Sequence, residues 1–317
     1  PYLVLLFAPP EQKNTYLATL RVIGLAVAMM IQPMAGMLSD RSTSRWGRRR
    51  PYIFTGAVVN VLFLFIIGAS PMFVGSRLDG FFVPAFGVIT AYVVLLAGSV
   101  LMQFSSNVAH GALQGLIPDL APENQRGRAS GVKAVMELLP VFLVIFIGPL
   151  VDAGKIWLTV GILMAAFLVT MLISVVFVQE PLKEKPAGSV GEPLLRLVAL
   201  TAIFVAVTQG ALWLVRASGA WLTQQGVALG VQVALVGLAG LIGMAGAVFA
   251  GVYLGARVGI GREARQQTSF IWWVINRLLF LAAVGSIQGF AQYFLADTLR
   301  IPNPATMTTI LMAAVAL

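Results

Sequence analysis

Long apolar runs separated by short polar loops make up most of the chain. A run of about 20 apolar residues is long enough to cross the ~30 Å hydrocarbon core of a bilayer as one helix. Eight complete membrane-spanning helices are predicted on this basis, at 17–38, 52–69, 85–110, 132–151, 156–178, 194–215, 226–258 and 270–295. Shorter apolar runs at 1–8 and 307–317 are predicted to be truncated helices, so we expect a fragment of an all-α, polytopic membrane protein.

The composition agrees with this class and excludes a soluble enzyme. Hydrophobic residues make up 59% of the chain and charged residues 10%, whereas soluble domains carry about 25% charged residues. The absence of cysteine excludes disulfides and thiolate metal sites, and the single histidine excludes a multi-histidine metal centre. No nucleophile–base pair or phosphate-binding loop is recognisable, so we expect neither an enzyme nor a bound cofactor.

The formal net charge of +9 is explained by the way the basic residues are shared between the loops. Fourteen lysines and arginines fall in four loops on one side, at 41–50, 126–133, 183–196 and 257–265, and five fall on the other side. Membrane proteins keep such a basic excess in the cytoplasm. The 41–50 loop is therefore predicted to be cytoplasmic, in what we expect to be a bacterial inner membrane, and a nucleic-acid partner is not expected.

The most specific motif is the loop sequence GMLSDRSTSRWGRRRPY at 36–52. A glycine one turn before the end of a helix lets a neighbouring backbone approach closely. The aspartate and the five arginines that follow can form ion pairs that hold one conformation of a moving bundle, or they can simply fix the topology. The candidates for this conformational role are Gly36, Asp40, Arg41, Arg45, Gly47, Arg48, Arg49 and Arg50.

This motif resembles the loop between helices 2 and 3 of the major facilitator superfamily. Its four extra residues at 42–45 resemble, more particularly, the glycoside–pentoside–hexuronide cation symporters and the sucrose transporters. The segment 270–297 is similar to helix 7 of these proteins, and the connection between helices 4 and 5 is similar as well. That connection contains Asn107, Gly111 and the second-loop candidates Asp119, Arg126, Gly127 and Arg128.

The resemblance covers 1–178 and 268–317 and implies an incomplete major facilitator fold. Residues 1–178 would form an amino-terminal six-helix bundle with a truncated first helix, followed by a cytoplasmic linker at 179–193. Residues 268–317 would begin the carboxy-terminal bundle with helices 7 and 8, which leaves two inserted helices at 194–258. The second inserted helix carries a ridge of small residues that is predicted to pack tightly against a partner: Ala239, Gly243, Ala247, Gly251 and Gly255.

Polar side chains within the predicted spans are candidates for a solute site, because polar groups are costly in lipid and usually face a cavity. Helix 4 carries a polar stripe on one face, which either lines a cavity or serves as hydrogen-bond glue between helices. Helix 7 carries a second stripe, in which Arg277 could bind a substrate or extend to the membrane surface. The candidate substrate-binding residues are Gln32, Gln103, Asn107, Gln114, Arg277, Gln288 and Gln292.

Glu137 is the candidate for proton coupling, because it is the best embedded carboxylate and His110 could relay a proton to it. Lys133, one turn away, could instead merely neutralise Glu137. The acidic coupling residues of the resembled families are missing. Gln103 stands where the sucrose transporters have an aspartate, and Gln32 stands where the melibiose-type symporters have an acidic residue. The protein could be a facilitator, could couple through Glu137, or could have left sugar transport.

Three functions stay open on the sequence alone. The first is a secondary transporter or facilitator for a sugar or glycoside, coupled to H⁺ or Na⁺ if it is coupled at all. The amide side chains of the polar stripes favour such a hydroxyl-rich solute, because amides both donate and accept hydrogen bonds. The second is a non-transporting assembly factor or sensor on the same scaffold, and the third is efflux of drugs or metabolites. The expected partners are membrane lipid and a small solute, and the sequence does not indicate an oligomeric state.

Overall fold

The computed structural model describes residues 2–178, Glu180, 191–259 and 268–316. Within these ranges the regular elements are all helical, which confirms the predicted fold class. Short 3₁₀ turns lie at Ser70–Phe73 and Glu123–Gln125. The α-helices are α1 Tyr2–Phe7, α2 Lys13–Asp40, α3 Arg50–Ala69, α4 Asp79–Phe86, α5 Thr90–Gln114, α6 Leu116–Leu120, α7 Arg126–Asp152, α8 Ile156–Phe177, α9 Gly191–Gln224, α10 Leu229–Gly259, α11 Thr268–Asp297 and α12 Pro304–Ala316.

Six helices of the described part are long and apolar enough to cross a membrane. They are α2, α3, α5, α8, α9 and α10, and they match six of the predicted spans. The spans predicted at 132–151 and 270–295 fall within α7 and α11, which include side chains outside the described set. The chain is therefore a multi-pass membrane protein, as its apolar pattern predicted.

The span predicted to begin at residue 85 begins later in the structure. α4 ends at Phe86 and is followed by Gly87, whose φ of +68° suits glycine, and α5 begins only at Thr90. The backbone N–H of Thr90 donates to Asp79 Oδ1 at 2.6 Å, which satisfies a free donor in the first turn of α5. Hydrogen bonding to Thr90 holds the pKa of Asp79 below its ordinary value.

The chain divides into two compact units. Residues 1–188 with 290–317 form the first unit, and residues 189–289 form the second. In the first unit α5 lies against both α2 and α3, α3 also packs on α8, and α12 packs on α7. In the second unit α9 and α10 form a helical hairpin. The assignment of the bundles, the linker and the insertion made from the sequence stays a prediction.

Two glycines bring α5 into backbone contact with its neighbours. A Cβ on Gly56 of α3 would lie 2.8 Å from the backbone nitrogen of Ala109. A Cβ on Gly111 would overlap the carbonyl oxygen of Gln32 and lie 3.2 Å from the nitrogen of Gly36. The close backbone approach expected at Gly36 is thus present, and α5 supplies the partner.

The small-residue ridge of α10 packs against α9 at two of its positions. A Cβ on Gly243 would lie 3.5 Å from Val215, and one on Gly255 would lie 3.4 Å from Leu200. At Gly251 nothing in the described part of the chain comes within 4 Å of such a Cβ. The ridge therefore meets α9 in ordinary van der Waals contact with side chains at these two positions, and the tight packing expected from the sequence stays a prediction.

Candidate solute site and its arginine loop

Two arginines of the first loop are buried in a network of ion pairs. Arg48 is 7% exposed and Arg49 is 5% exposed. The Asp119 carboxylate accepts hydrogen bonds from Arg48 Nη2 and from Arg49 Nε, each at 2.7 Å. Arg49 Nη2 also lies 2.5 Å from Asp40 Oδ1. Asp119 follows α5, whereas Asp40 ends α2, so Arg49 joins the ends of two helices to the start of α3.

Arg49 fits into this network because Gly115 has no side chain. Gly115 joins α5 to α6, and a Cβ there would overlap the Arg49 guanidinium. Gly47 has a φ of +106°, a conformation that favours glycine, and turns the chain into the run of arginines. Gly47 could be predicted from the loop motif but Gly115 could not, since nothing local to Gly115 indicates that an arginine 66 positions earlier lies against it.

The second residue that sequence reasoning missed is Glu180. Its carboxylate accepts hydrogen bonds from the backbone N–H groups of Arg49 and Arg50, each at 2.9 Å. These N–H groups begin α3 and have no partner within their own helix, so Glu180 acts as the cap of α3 from a distant part of the chain. Arg50 Nη2 in turn donates to the carbonyl oxygen of Val178. The sequence signal that could have pointed to Glu180 is an acidic residue just after a predicted span, on the same side of the membrane as the arginine loop.

Three of the other loop candidates are exposed at the surface. Arg45 is exposed, and so are Gly127 and Arg128. Arg126 forms a local pair with Glu123 at 3.5 Å. The first loop is therefore joined to the segment after α5 through Asp119, and the described ion pair of Arg126 is a local one.

The polar stripe of α5 forms hydrogen bonds largely with itself. Asn107 is buried, and its Nδ2 donates to the carbonyl oxygen of Gln103 at 2.7 Å. The Gln103 side chain fills the space beside Gly24 of α2. A Cβ added to that glycine would lie 3.2 Å from the Gln103 side chain. Gln114 Nε2 and His110 Nε2 are 2.7 Å apart. If the amide donates, this imidazole nitrogen carries no proton.

Two cavities meet at Gln114. One, of about 380 Å³, lies between α2 and α5 and is lined by Gln32, Pro33 and Gly111 among others. The other, of about 400 Å³, lies between α5 and α7 and is lined by residues that include Ser130 and Glu137. The structure thus brings Gln32 and Gln114 to one cavity, whereas Gln103 and Asn107 lie outside both linings.

Glu137 is paired and partly open in this arrangement. Lys133 Nζ lies 2.7 Å from Glu137 Oε1, and the carboxylate side chain is 53% exposed. Both residues line the cavity between α5 and α7, and His110 is close enough to feel both charges. The coupling candidates named from the sequence therefore lie together, beside Gln114.

The stripe predicted on α11 is described only in part. Arg277 is exposed and belongs to the second unit, whereas Gln292 is buried and belongs to the first unit. The side chain of Gln288 lies outside the described residues. Among the side chains that are described, no group of three or more histidines, aspartates or glutamates could hold a metal ion.

Known proteins similar to this chain are sugar transport proteins. The family described as "MFS/sugar transport protein" matches residues 12–205. The chain is 36% identical over 112 residues to Sucrose transport protein SUT1 of Oryza sativa subsp. japonica. The matched segment covers 34% of the chain and 21% of that protein. It is also 26% identical over 173 residues to the General alpha-glucoside permease of Schizosaccharomyces pombe. This matched segment covers 50% of the chain and 30% of that protein.

A third relative, Sucrose transport protein SUC3 of Arabidopsis thaliana, is 29% identical over 123 residues, covering 34% of the chain and 19% of that protein. The chain thus spans between about a fifth and a third of the length of these relatives. No solved structure matches it. These relatives come from plants and fission yeast, and so they do not support the expected bacterial inner membrane. The family match covers more than half of the chain, and the chain therefore belongs to the MFS/sugar transport protein family, close to the sucrose transporter branch that its first loop resembles.

Proposed function

We propose that this protein carries an α-glucosyl sugar across the membrane by alternating access. Two relatives are named as sucrose transport proteins and a third as an α-glucoside permease. Sucrose is itself an α-glucoside, so these names share one chemical class of substrate. We take that class, rather than any single sugar, as the proposed substrate.

The observation that carries the proposal is the pair of cavities meeting at Gln114. Cavities of 380–400 Å³ fall within the range of small-molecule sites. Gln32 and Gln114 offer amide groups, which both donate and accept hydrogen bonds and therefore suit sugar hydroxyls. Alternating-access transporters bind solute between helices in this manner. We propose Gln32 and Gln114 as the principal sugar contacts, with Gln103 and Asn107 supporting the shape of α5.

We further propose that transport is coupled to protons through Glu137. A carboxylate in a membrane cavity is a typical proton acceptor, and Lys133 balances its charge when the proton is absent. His110 lies within electrostatic reach of both charges and bonds to Gln114, which lines the proposed sugar cavity. This chain of contacts gives a physical route by which a bound sugar can sense the protonation of Glu137. A sodium-coupled mechanism has less support, because position 32 carries an amide rather than a carboxylate.

Radiolabelled sucrose and maltose uptake into proteoliposomes tests both proposals. With an inward pH gradient we expect accumulation, and in its absence we expect exchange of internal for external sugar. Glu137→Gln removes the titratable group, so it should abolish accumulation while leaving exchange within about twofold of the parent. Glu123→Gln is the matched control, since Glu123 lies near the start of the same helix but is 88% exposed and outside both cavities.

The outcomes separate the two proposals from each other. Unchanged accumulation by Glu137→Gln would overturn the coupling role and leave sugar transport standing. Absence of flux for every α-glucoside would overturn the transport proposal, and stable binding to a partner complex would then favour an assembly factor or sensor.

We also propose that the arginine loop lies on the cytoplasmic side, as its basic excess indicates. The bacterial inner membrane predicted from the sequence stays a proposal. Labelling of an introduced Arg45→Cys only after membranes are permeabilised would support the cytoplasmic placement, and labelling of intact cells would contradict it.

A further inference from the structure

An ion pair joins the start of α2 to the end of α11. Lys13 Nζ lies 2.5 Å from Asp297 Oδ2, and the same ammonium sits 5.3 Å from the centroid of the Tyr293 ring. Tyr293 is 3% exposed and packs in an apolar cluster with Tyr16 and Tyr92 of α2 and α5. The end of α11 is thereby held by a charge pair, a cation–π contact and apolar packing.

A separate contact joins the end of α7 to the start of α12. The Asp152 carboxylate accepts hydrogen bonds from the backbone N–H groups of Ala305 at 3.1 Å and Thr306 at 2.8 Å, and from the Thr306 hydroxyl at 2.7 Å. The two helices approach closely beside this cap, since a Cβ on Gly148 would lie 2.6 Å from Thr309 Oγ1. Asp152 therefore caps a helix that lies 152 residues further along the chain.

Both contacts lie at the end of the helices opposite the arginine loop. Lys13 begins α2 and Asp40 ends it, so the two are separated by 28 residues of helix, or about 40 Å. Asp152 likewise lies at the opposite end of α7 from Arg126. The proposed sugar cavities reach Gln114, which ends α5 next to the arginine network.

We propose that the Lys13–Asp297 pair and the Asp152 cap on α12 form the gate that closes the transport pathway at the end opposite the arginine loop. The proposal rests on the proposed transport function. Alternating access requires the helices at one end to separate while those at the other end meet. In the bundle assignment predicted from the sequence, α11 and α12 belong to the carboxy-terminal bundle and α2 and α7 to the amino-terminal one, so opening at the Lys13 end breaks both contacts.

Cysteine labelling tests the gate without depending on sugar flux. The chain contains no cysteine, so an introduced thiol is the only one in it that a maleimide can label. Thr309→Cys is close in size to the native side chain and is 8% exposed beneath the Asp152 cap. In proteoliposomes we would measure its rate of reaction with a membrane-impermeant maleimide added on the Lys13 side.

Lys13→Asp and Asp297→Lys, each in the Thr309→Cys background, should raise the labelling rate about fivefold, the factor expected from losing one partly buried ion pair. The double variant Lys13→Asp/Asp297→Lys restores an opposite pair and should return the rate toward that of the parent. Asp152→Asn, which removes the charge of the cap, should raise the rate as the single variants do. Lys155→Ala is the matched control, because Lys155 is an exposed basic residue at the same end.

The results decide the proposal in either direction. Faster labelling in the single variants with recovery in the charge swap supports the gate, even if sugar flux fails. Labelling at the parent rate in all variants would overturn it. So would a charge swap that labels as fast as the single variants, since that pattern reports general loosening of the fold. Lys13→Gln serves as the milder variant if a reversed charge prevents folding.

Discussion

Burial of Arg49 depends on a neighbour that lacks a side chain. Its guanidinium lies between Asp119 and Asp40 and occupies the space that a Cβ on Gly115 would need. A buried charge is stable only while its partners hold it, and breaking such a pair on one side costs about 3–5 kcal/mol. Gly115 is therefore as much a part of the network as the charged residues.

We expect Gly115→Ala to lower the free energy of unfolding by about 3 kcal/mol, because the new methyl group displaces Arg49 from its carboxylate partners. Gly127→Ala is the matched control, since nothing in the described part of the chain lies within 4 Å of a Cβ there, and alanine favours helices by about 1 kcal/mol. Thermal unfolding of the purified protein in detergent measures both. Equal stability of the two variants would contradict the role given to Gly115.

At the scale of elements, α3 begins without a cap of its own. No side chain near its first residues bonds to its free N–H groups, and Glu180 supplies that acceptor from the end of α8. The contact also ties the first residues after α8 to the arginine loop. Glu180, the second residue of the stretch predicted as a polar linker at 179–193, is therefore fixed to the helices of the first unit.

Glu180→Ala should speed hydrogen exchange at the first amides of α3, because two donors lose their acceptor and the cap contributes about 1 kcal/mol. Exchange at these amides, measured by mass spectrometry, should rise about fivefold, while that of α5 stays unchanged. Glu192→Ala is the control, since it removes only an exposed pair with Arg196. Protection of α3 equal to that of the parent would show that the Glu180 contacts are dispensable.

The sequence predicted the elements well and the contacts between them poorly. Apolar runs located the helices, since lipid imposes a length and a polarity that can be read locally. The polar stripe of α5 was predicted from spacing alone, yet the bond from Asn107 to its own helix was not, because a side chain has several partners within reach. Glu180, Gly115 and Asp152 act on residues 66 to 154 positions away, and no local pattern encodes such pairings.

At the scale of the whole molecule, the two ends of α2 take part in different kinds of contact. At the Asp40 end, the described ion pairs connect α2, the loop before α3 and the segment after α5, all within the amino-terminal helices. At the Lys13 end, the contacts reach α11 and α12. The arginine loop therefore stabilises contacts among the amino-terminal helices, whereas the proposed gate at the Lys13 end links these helices to α11 and α12.

This division predicts opposite responses to mutation at the two ends. Asp119→Asn weakens two hydrogen bonds to buried arginines, so it should lower the unfolding temperature while leaving the labelling of Thr309→Cys within twofold of the parent. Lys13→Gln should do the reverse, because a single ion pair to a half-exposed carboxylate contributes little to stability but lies across the proposed opening. The measurement is unfolding temperature and labelling rate on the same purified samples. A variant at the Asp40 end that accelerates labelling at the Lys13 end would show instead that the two ends are coupled through α2, and the arginine network would then have to be counted as part of the gate.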